Sequence, residues 1–424
     1  MGVGMGFACN FSYLQQDLRT VVFNKSDNNS EFAHGLGIYV GFYFRSLPLD
    51  LQTAILEKAE TNFVFARGLG FGLGYTFAYL PEEFQRELYV KASKNVYLAD
   101  GIGQGLGFVF KHLSQQFKEQ LYHLCNTNIG FGYGLGYGIG YCYKYLGQVL
   151  REEVFQRAEE DGAFAYGLGY GLGRSYIFRP IELQNQLLLR IEKNQEFAKG
   201  LGAGWGFNIV YQSDELQHLA FRIAENHPQF AVGLGMGLGR VFRYLPREIK
   251  EHVYEKMKLN PQFAVGLGMY IGHVFIYLTN ELQENILEMV NINSEFAEGL
   301  GYGLGYVFSL HAKEFQKQIL EISEKNSRLM YGLAAGIGNN FEYLSPEFKT
   351  EFFKIGGNIM FAEGLGYGLG YSFKYQGKKE QEKIVNNLTF TEDSSFIHGV
   401  VVGLGNAYLY LPEYFQKELF ARLA

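Results

Sequence analysis

The sequence predicts an all-α solenoid: a curved, right-handed stack of about thirteen helix-turn-helix repeats of 33 residues, with glycine-rich helices on its inner side. Two observations carry this. First, a unit such as Gly68-Leu69-Gly70-Phe71-Gly72-Leu73-Gly74 recurs with its first glycine at 2, 35, 68, 101, 134, 167, 200, 233, 266, 299, 332, 364 and 399. Of the 54 glycines, 47 fall in four slots of that unit (0, +2, +4 and +6 from the first), so glycine here is a position class and not low-complexity filler. Second, each glycine segment is followed by a charged segment with helical periodicity. A fixed period of this length is the signature of a repeat array, and the expected organisation is one repeat domain over residues 1–424.

The glycine segment (A) opens each unit. Strict alternation of glycine with Leu or Tyr is also the period of a strand, and a βα repeat would have a similar length. Glycine is depleted in strands, however, and a glycine face gives an outer helix nothing to pack on. At about 100° per residue, a helix places Ala at −2, Leu at +1, +5 and +12 and Phe at +9 within one arc. It puts slots 0 and +4 on one flank and +2 and +6 on the other. Positions −1, +3, +7 and +10 form the remaining face. Four chemically coherent faces result only if A is helical.

The second segment (B) is amphipathic, with apolar residues spaced as in Leu282, Ile286, Met289 and Val290. Pro81, Pro180, Pro246 and Pro412, or Ser114, Ser213, Thr279 and Ser345, stand where it begins and suit N1 or N-cap positions. Asn95, Asn128, Asn194, Asn260, Asn293 and Asn326 stand where it ends. Asparagine there tolerates a left-handed cap and also starts the next helix; Pro228 and Pro261 follow at that junction.

Each interior glycine costs a helix ~1 kcal/mol against alanine, so a compensating contact is required. Glycine on both flanks lets neighbouring A helices approach below the usual spacing, as small residues do in close helix pairs. B helices carry bulky side chains and keep ordinary spacing. Such a stack turns by roughly 10–12° per repeat if the layer spacings differ by ~2 Å. The slots that lack glycine at Tyr39, Tyr270 and Val401 should mark places where A helices splay.

The solvent side of A, expected to be concave, varies between repeats and is often aromatic. One helix carries Tyr133, Tyr137 and Tyr141, and the next carries Tyr166, Tyr170 and Arg174. Arg240, the pair Tyr302 and Tyr306, and the pair Tyr367 and Tyr371 hold equivalent places. Tyrosine offers large apolar area with a polar tip, and solenoids bind along such surfaces. These eleven residues are the expected partner-binding surface.

Helix-turn-helix units of about 33 residues with Asn260-Pro261 at the junction resemble the tetratricopeptide class of α-hairpin repeats. The resemblance covers the whole chain, but the four alternating glycines are foreign to that class. It implies a superhelical scaffold for proteins or peptides.

Other functions are argued against. A dinucleotide loop wants glycine at 0, 2 and 5, and +5 here is Leu, Ile, Val or Trp205 in nearly every unit. Nine scattered histidines form no metal motif, and no Ser or Cys has a nucleophile context, so no enzyme, metal or cofactor is expected. A net charge of −6 gives no nucleic-acid footprint. Segment A is shorter than the ~20 residues of a membrane span. Cys9, Cys125 and Cys142 make no disulfide framework, so a reducing, cytoplasmic setting is expected. The expected function is a non-catalytic scaffold binding a protein or peptide. Small-molecule or glycan binding in the tyrosine groove, and end-to-end self-assembly through uncapped ends, are the alternatives.

Overall fold

The computed structural model describes residues 6, 11, 14–175, 181–310, 313–341, 344, 358–373 and 394–405. Every regular element among them is helical, with no strand, and each helix packs on its sequential neighbours as an all-α solenoid of helical hairpins. The strand reading of segment A is thereby removed. Contacts group into two compact units, 1–205 and 206–424. The uncapped ends expected from the sequence fall on 1–13 and 406–424, which lie outside the described residues apart from Gly6 and Phe11.

In the first unit, A helices Ser30–Tyr43, Phe63–Thr76, Val96–Val109, Ile129–Cys142 and Gly162–Arg174 alternate with B helices Leu49–Thr61, Glu82–Ala92, Gln115–Thr127 and Gln148–Glu160. In the second, Pro228–Val241, Pro261–Val274, Ser294–Tyr306, Ser327–Asn339, Ile359–Ser372 and Ser394–Gly405 are A helices. Asp214–Asn226, Arg247–Leu259, Asn280–Ile292 and Lys313–Ser323 are B helices. The core is the A–B interface. Ala66, Leu69, Leu73 and Phe77 are fully buried, as the helical projection requires, and Phe65 at −3 joins them.

The glycine flanks do what their angular positions imply. A Cβ built on Gly68 or Gly72 (slots 0 and +4) meets the carbonyl of His34 or Ile38 in the preceding A helix. One built on Gly70 or Gly74 (slots +2 and +6) meets the carbonyl of Leu98 or Ile102 in the following one. The same alternation runs through Val96–Val109, Ile129–Cys142 and Ser294–Tyr306, always with backbone atoms inside 3.0 Å of the added carbon. In the native chain that direction holds an Hα aimed at a carbonyl oxygen. Such Cα–H···O contacts contribute about 0.5–1 kcal/mol each. With the added dispersion they offset a propensity cost of ~1 kcal/mol per glycine. Neighbouring B helices show no comparably extended close approach among the described residues.

Tyr270 shows what happens when a slot is filled. A Cβ on the facing Gly239 would lie 3.0 Å from the Tyr270 Cβ and 2.8 Å from the Leu267 oxygen. One turn earlier, Gly235 meets the Phe263 carbonyl more closely. The helices therefore part locally at Tyr270, as expected; the residues that Tyr39 would face lie outside the described residues, and Val401 stands on the flank opposite Gly399 and Gly403, the glycines that meet the preceding A helix.

The junction asparagines are N-caps in extended conformation; Asn260 has φ −128° and ψ 100°. No described non-glycine residue has positive φ, so the expected left-handed cap is corrected. The physical reason is a second bond that needs this geometry. Asn260 Oδ1 accepts from the Phe263 N–H at 3.0 Å, while its Nδ2 donates to the Ala224 carbonyl of the preceding repeat at 2.9 Å. Asn62, Asn95, Asn128, Asn194, Asn293 and Asn326 make the same reach across 36 residues. One amide thus caps a helix and fixes repeat-to-repeat register. Asn260→Ala is expected to cost about 2 kcal/mol, from a lost cap and an orphaned carbonyl. Asn260→Asp, which keeps the acceptor and loses the donor, should cost about half of that. Urea midpoints of the two variants check the ordering.

At the A-to-B turn, Gln85, Gln217 and Gln283 each donate Nε2 to two turn carbonyls, as Gln283 does to Phe275 and Leu278 at 2.9 and 3.4 Å. Neighbouring B helices are tied by Lys58–Asp27 and Lys256–Glu225 ion pairs at 2.6 and 2.8 Å.

Candidate interaction face

The side of the A row turned away from the B helices carries rows of rings because each repeat contributes the same positions. In the first unit, Tyr133 lies 5.8 Å from Tyr166 and 6.5 Å from Tyr170, centroid to centroid. Tyr137 lies 5.4 Å from Tyr170 and 6.4 Å from Tyr141. Tyr141 stacks on Phe108 at 5.4 Å, and Phe108 meets Phe71 edge-on at 5.3 Å. The five tyrosines named from the sequence are therefore brought together.

They are not equally available. Tyr137 and Tyr170 are 7% and 6% exposed and form a small core with Ala203, whereas Tyr141 is 43% exposed. Tyr133, Tyr166 and Arg174 are intermediate. Close A-to-A spacing presses adjacent +3 side chains against one another, which buries the middle of the row.

In the second unit, the Tyr302 hydroxyl accepts from Asn339 Nδ2 at 2.6 Å, and Tyr306 packs on His273 at 5.0 Å. Tyr367 lies between Tyr331 and Tyr371, 6.3 Å from each. Tyr302, Tyr306, Tyr367 and Tyr371 are all half-buried. Burial raises the Tyr302 and Tyr133 phenols well above their ordinary range, so both stay neutral donors. Arg240 lies over the Phe207 and Tyr270 rings at 5.1 and 5.7 Å, a double cation–π contact.

Charge enters the face at position −1. Arg67 Nε stands 2.8 Å from Asp100 Oδ2, and Lys199 lies 6.0 Å from the Tyr166 ring. In the second unit, Glu298 pairs with Arg328 and Glu363 with His398, each at 3.2 Å. Burial pushes the Asp100 carboxyl up to about 6 although Arg67 opposes it. Its Oδ1 is buried with no hydrogen-bond partner among the described residues. His34 beside Arg67 is held down to about 4, chiefly by burial, and is neutral at pH 7.

The Asp100 shift has a definite sign. The folded state keeps a proton that the unfolded carboxyl loses near pH 4. This group's contribution to stability is thus full below about pH 4 and is lost as pH rises through about 6. Wild-type stability is expected to fall relative to Asp100→Asn across that window and to run parallel above it. Urea titrations at pH 4, 5, 6 and 7 check this; a constant difference would remove the assignment.

A further set was missed in the sequence. Tyr79, Tyr145, Tyr211, Tyr244 and Tyr277, at +11, are 82%, 59%, 77%, 67% and 73% exposed in the turns between A and B. The signal was the tyrosine recurring before the buried +12 position, as in Tyr244-Leu245 and Tyr277-Leu278. The helical projection treated +11 as part of A, but the chain has by then tightened into a 3₁₀ turn that swings it outward.

Among the described residues no His, Cys, Asp and Glu cluster is placed to hold a metal, and no helix is long and apolar enough to cross a membrane. No family model, curated protein or solved structure compared with the chain matches it.

Proposed function

We propose that the chain is a non-catalytic scaffold, working in a reducing compartment, that binds a protein or peptide along the ring-bearing face of its A helices. The observation that carries this reading is the set of aromatic rows, built from side-by-side rings with Tyr141 open to solvent and Tyr306 and Tyr371 half-buried. Rings of this kind give contact area at low entropic cost. The flanking −1 charges differ from repeat to repeat (Arg67, Asp100, Lys199, Glu298, Glu363), which suits a partner of irregular sequence better than a repeating glycan. The tetratricopeptide-like reading is supported by repeat length and hairpin form, and the glycine slots set this array apart from that class. The test is selection of a displayed random peptide library on the immobilised chain. Selected peptides should lose binding to a Tyr141→Ser, Tyr306→Ser, Tyr371→Ser variant that melts like the parent. Selection of no peptide, or of peptides indifferent to that variant, would count against the reading.

A further inference from the structure

The A row of the first unit is basic in a chain whose net charge is −6. Up to residue 205, the described A helices and the turns that end them carry Arg45, Arg67, Lys111, Lys144, Arg174 and Lys199 against Glu31, Asp100 and Glu196. In the second unit the described A helices and turns balance Arg240, Arg243 and Arg328 with Glu295, Glu298 and Glu363. The excess is therefore local, and it coincides with the longest run of rings. Phe42 meets Tyr75 edge-on at 5.4 Å and Phe71 at 6.2 Å, and from Phe71 the run continues through Phe108 to Tyr141. Phe108 and Tyr141 stand in the last turns of their helices, three residues before Lys111 and Lys144.

Those two lysines, from consecutive repeats, converge on one exposed ring: Lys111 Nζ and Lys144 Nζ lie 5.5 and 4.9 Å from the centroid of Tyr145. A ring contact leaves the charge in place, and neither lysine has a carboxylate in ion-pair range among the described residues. Arg151 lies 5.2 Å over Tyr143 and donates to the Lys144 carbonyl at 3.1 Å, and Lys118 lies 5.2 Å over Phe110, so both add the same sign. The adjoining B helices, Gln115–Thr127 and Gln148–Glu160, have no acidic residue in their first turns. Their nearest carboxylates are committed or turned elsewhere. Glu152 pairs with Arg190 at 3.1 Å, Glu153 bonds to Tyr122, and Glu119 lines a groove with Tyr89 and His123. Asp100 is held by Arg67, and Asp50, Glu82 and Glu83 open the two earlier B helices. Around Tyr145, cations remain in excess.

We propose that Phe108, Tyr141 and Tyr145, with Lys111 and Lys144 beside them, dock an acidic peptide segment in which Asp or Glu alternates with aromatic or large apolar residues. This rests on the reading of the A face as a protein- or peptide-binding surface and names the chemistry of its partner. The rings supply contact area, while the lysines steer the partner in and select its sign. A nucleic acid fits less well, because its unbroken run of phosphates would meet Asp100, Glu82 and Glu83 on one side of the patch. The test uses the full chain and a dye-labelled peptide of repeated Glu-Phe-Ser, read by fluorescence anisotropy. Peptides of repeated Lys-Phe-Ser and Glu-Gly-Ser, equal in length, are the comparators.

The Glu-Phe-Ser peptide is expected to bind about tenfold tighter than either comparator, since it alone meets both the charge and the rings. Binding should weaken as salt rises from about 0.1 M to about 1 M, where the Debye length falls from ~10 to ~3 Å. Changing Lys111→Glu and Lys144→Glu together should weaken it about tenfold or more, mostly through the association rate. Both lysines are exposed, so the melting temperature should hold. Lys144→Gln alone should weaken binding about threefold, which keeps the test sharp if the double variant folds poorly. Preference for Lys-Phe-Ser, or indifference to the lysine variants, would overturn the proposal. The reading of the face would survive that result as long as library-selected peptides still required Tyr141. Equal binding of Glu-Phe-Ser and Glu-Gly-Ser would reduce the effect to charge and overturn the proposal, as would tighter binding of an oligothymidylate.

Discussion

Gly303→Ala is expected to lower stability by about 2 kcal/mol, although alanine is the better helix former. Propensity and unfolded-state entropy favour the change by ~1 kcal/mol. Against this, the new methyl would press on the Met269 carbonyl and lie 2.9 Å from the Gly272 Cα in the preceding A helix. Both partners are backbone, so no rotamer change relieves the clash and the helices must separate. Overpacking typically costs 1–3 kcal/mol, and loss of the Cα–H···O contact adds ~0.5–1 kcal/mol. The packing side wins. A fall in the urea midpoint at unchanged m-value is the expected signature; a raised midpoint would mean that the A helices do not touch there.

Tyr170→Ala is expected to cost about 3 kcal/mol, more than any other tyrosine truncation on that face except Tyr137→Ala. Tyr170 is 6% exposed and packs 5.4 Å from Tyr137 and 6.5 Å from Tyr133. Removing a buried ring forfeits its transfer free energy and leaves a cavity, worth 3–5 kcal/mol for Phe→Ala. Lost aromatic pairing of ~0.5–1.5 kcal/mol adds to it, and the solvent edge of the row moderates the sum. Tyr141→Ala, at a 43% exposed position, should cost under about 1 kcal/mol. Binding tests on this face therefore use Tyr141, whereas Tyr137 and Tyr170 answer a question about folding. Equal destabilisation by Tyr141→Ala and Tyr170→Ala would contradict the division of the row into buried and open parts.

The repeat, the helical nature of segment A and the opposed glycine flanks were legible because each is a periodicity, and a periodicity needs only one helix to be read. Gly68 and Gly70 point to opposite neighbours by angle alone. What depends on the distance between helices was not legible. Tyr137 and Tyr141 project to the same face of one helix, yet one is buried and the other open, because Tyr170 and Ala203 of later repeats close over the first. The double duty of Asn260 was hidden for a related reason: its second bond goes to Ala224, 36 residues back. The −3 phenylalanines, such as Phe65, sit outside the arc drawn for the core but face the B layer once the hairpins dock. The +11 tyrosines were missed because an α-helical projection was carried past the helix end.

The central claim is that glycine is retained in the A helices for backbone contact between repeats. Its most direct test compares two glycines of one helix, Ile129–Cys142. Gly132 stands at −2, where most repeats have alanine, and a Cβ there would meet only ordinary neighbours: Asp161 Oδ2 and Cys125 Cβ at 3.5 Å. Gly136 occupies slot +2, where the same carbon would strike the Phe164 carbonyl and lie 2.8 Å from the Leu168 nitrogen. Propensity favours alanine at both by ~1 kcal/mol, so the difference between the variants isolates packing. The account predicts that the urea midpoint rises for Gly132→Ala and falls for Gly136→Ala; a rise for both would contradict it.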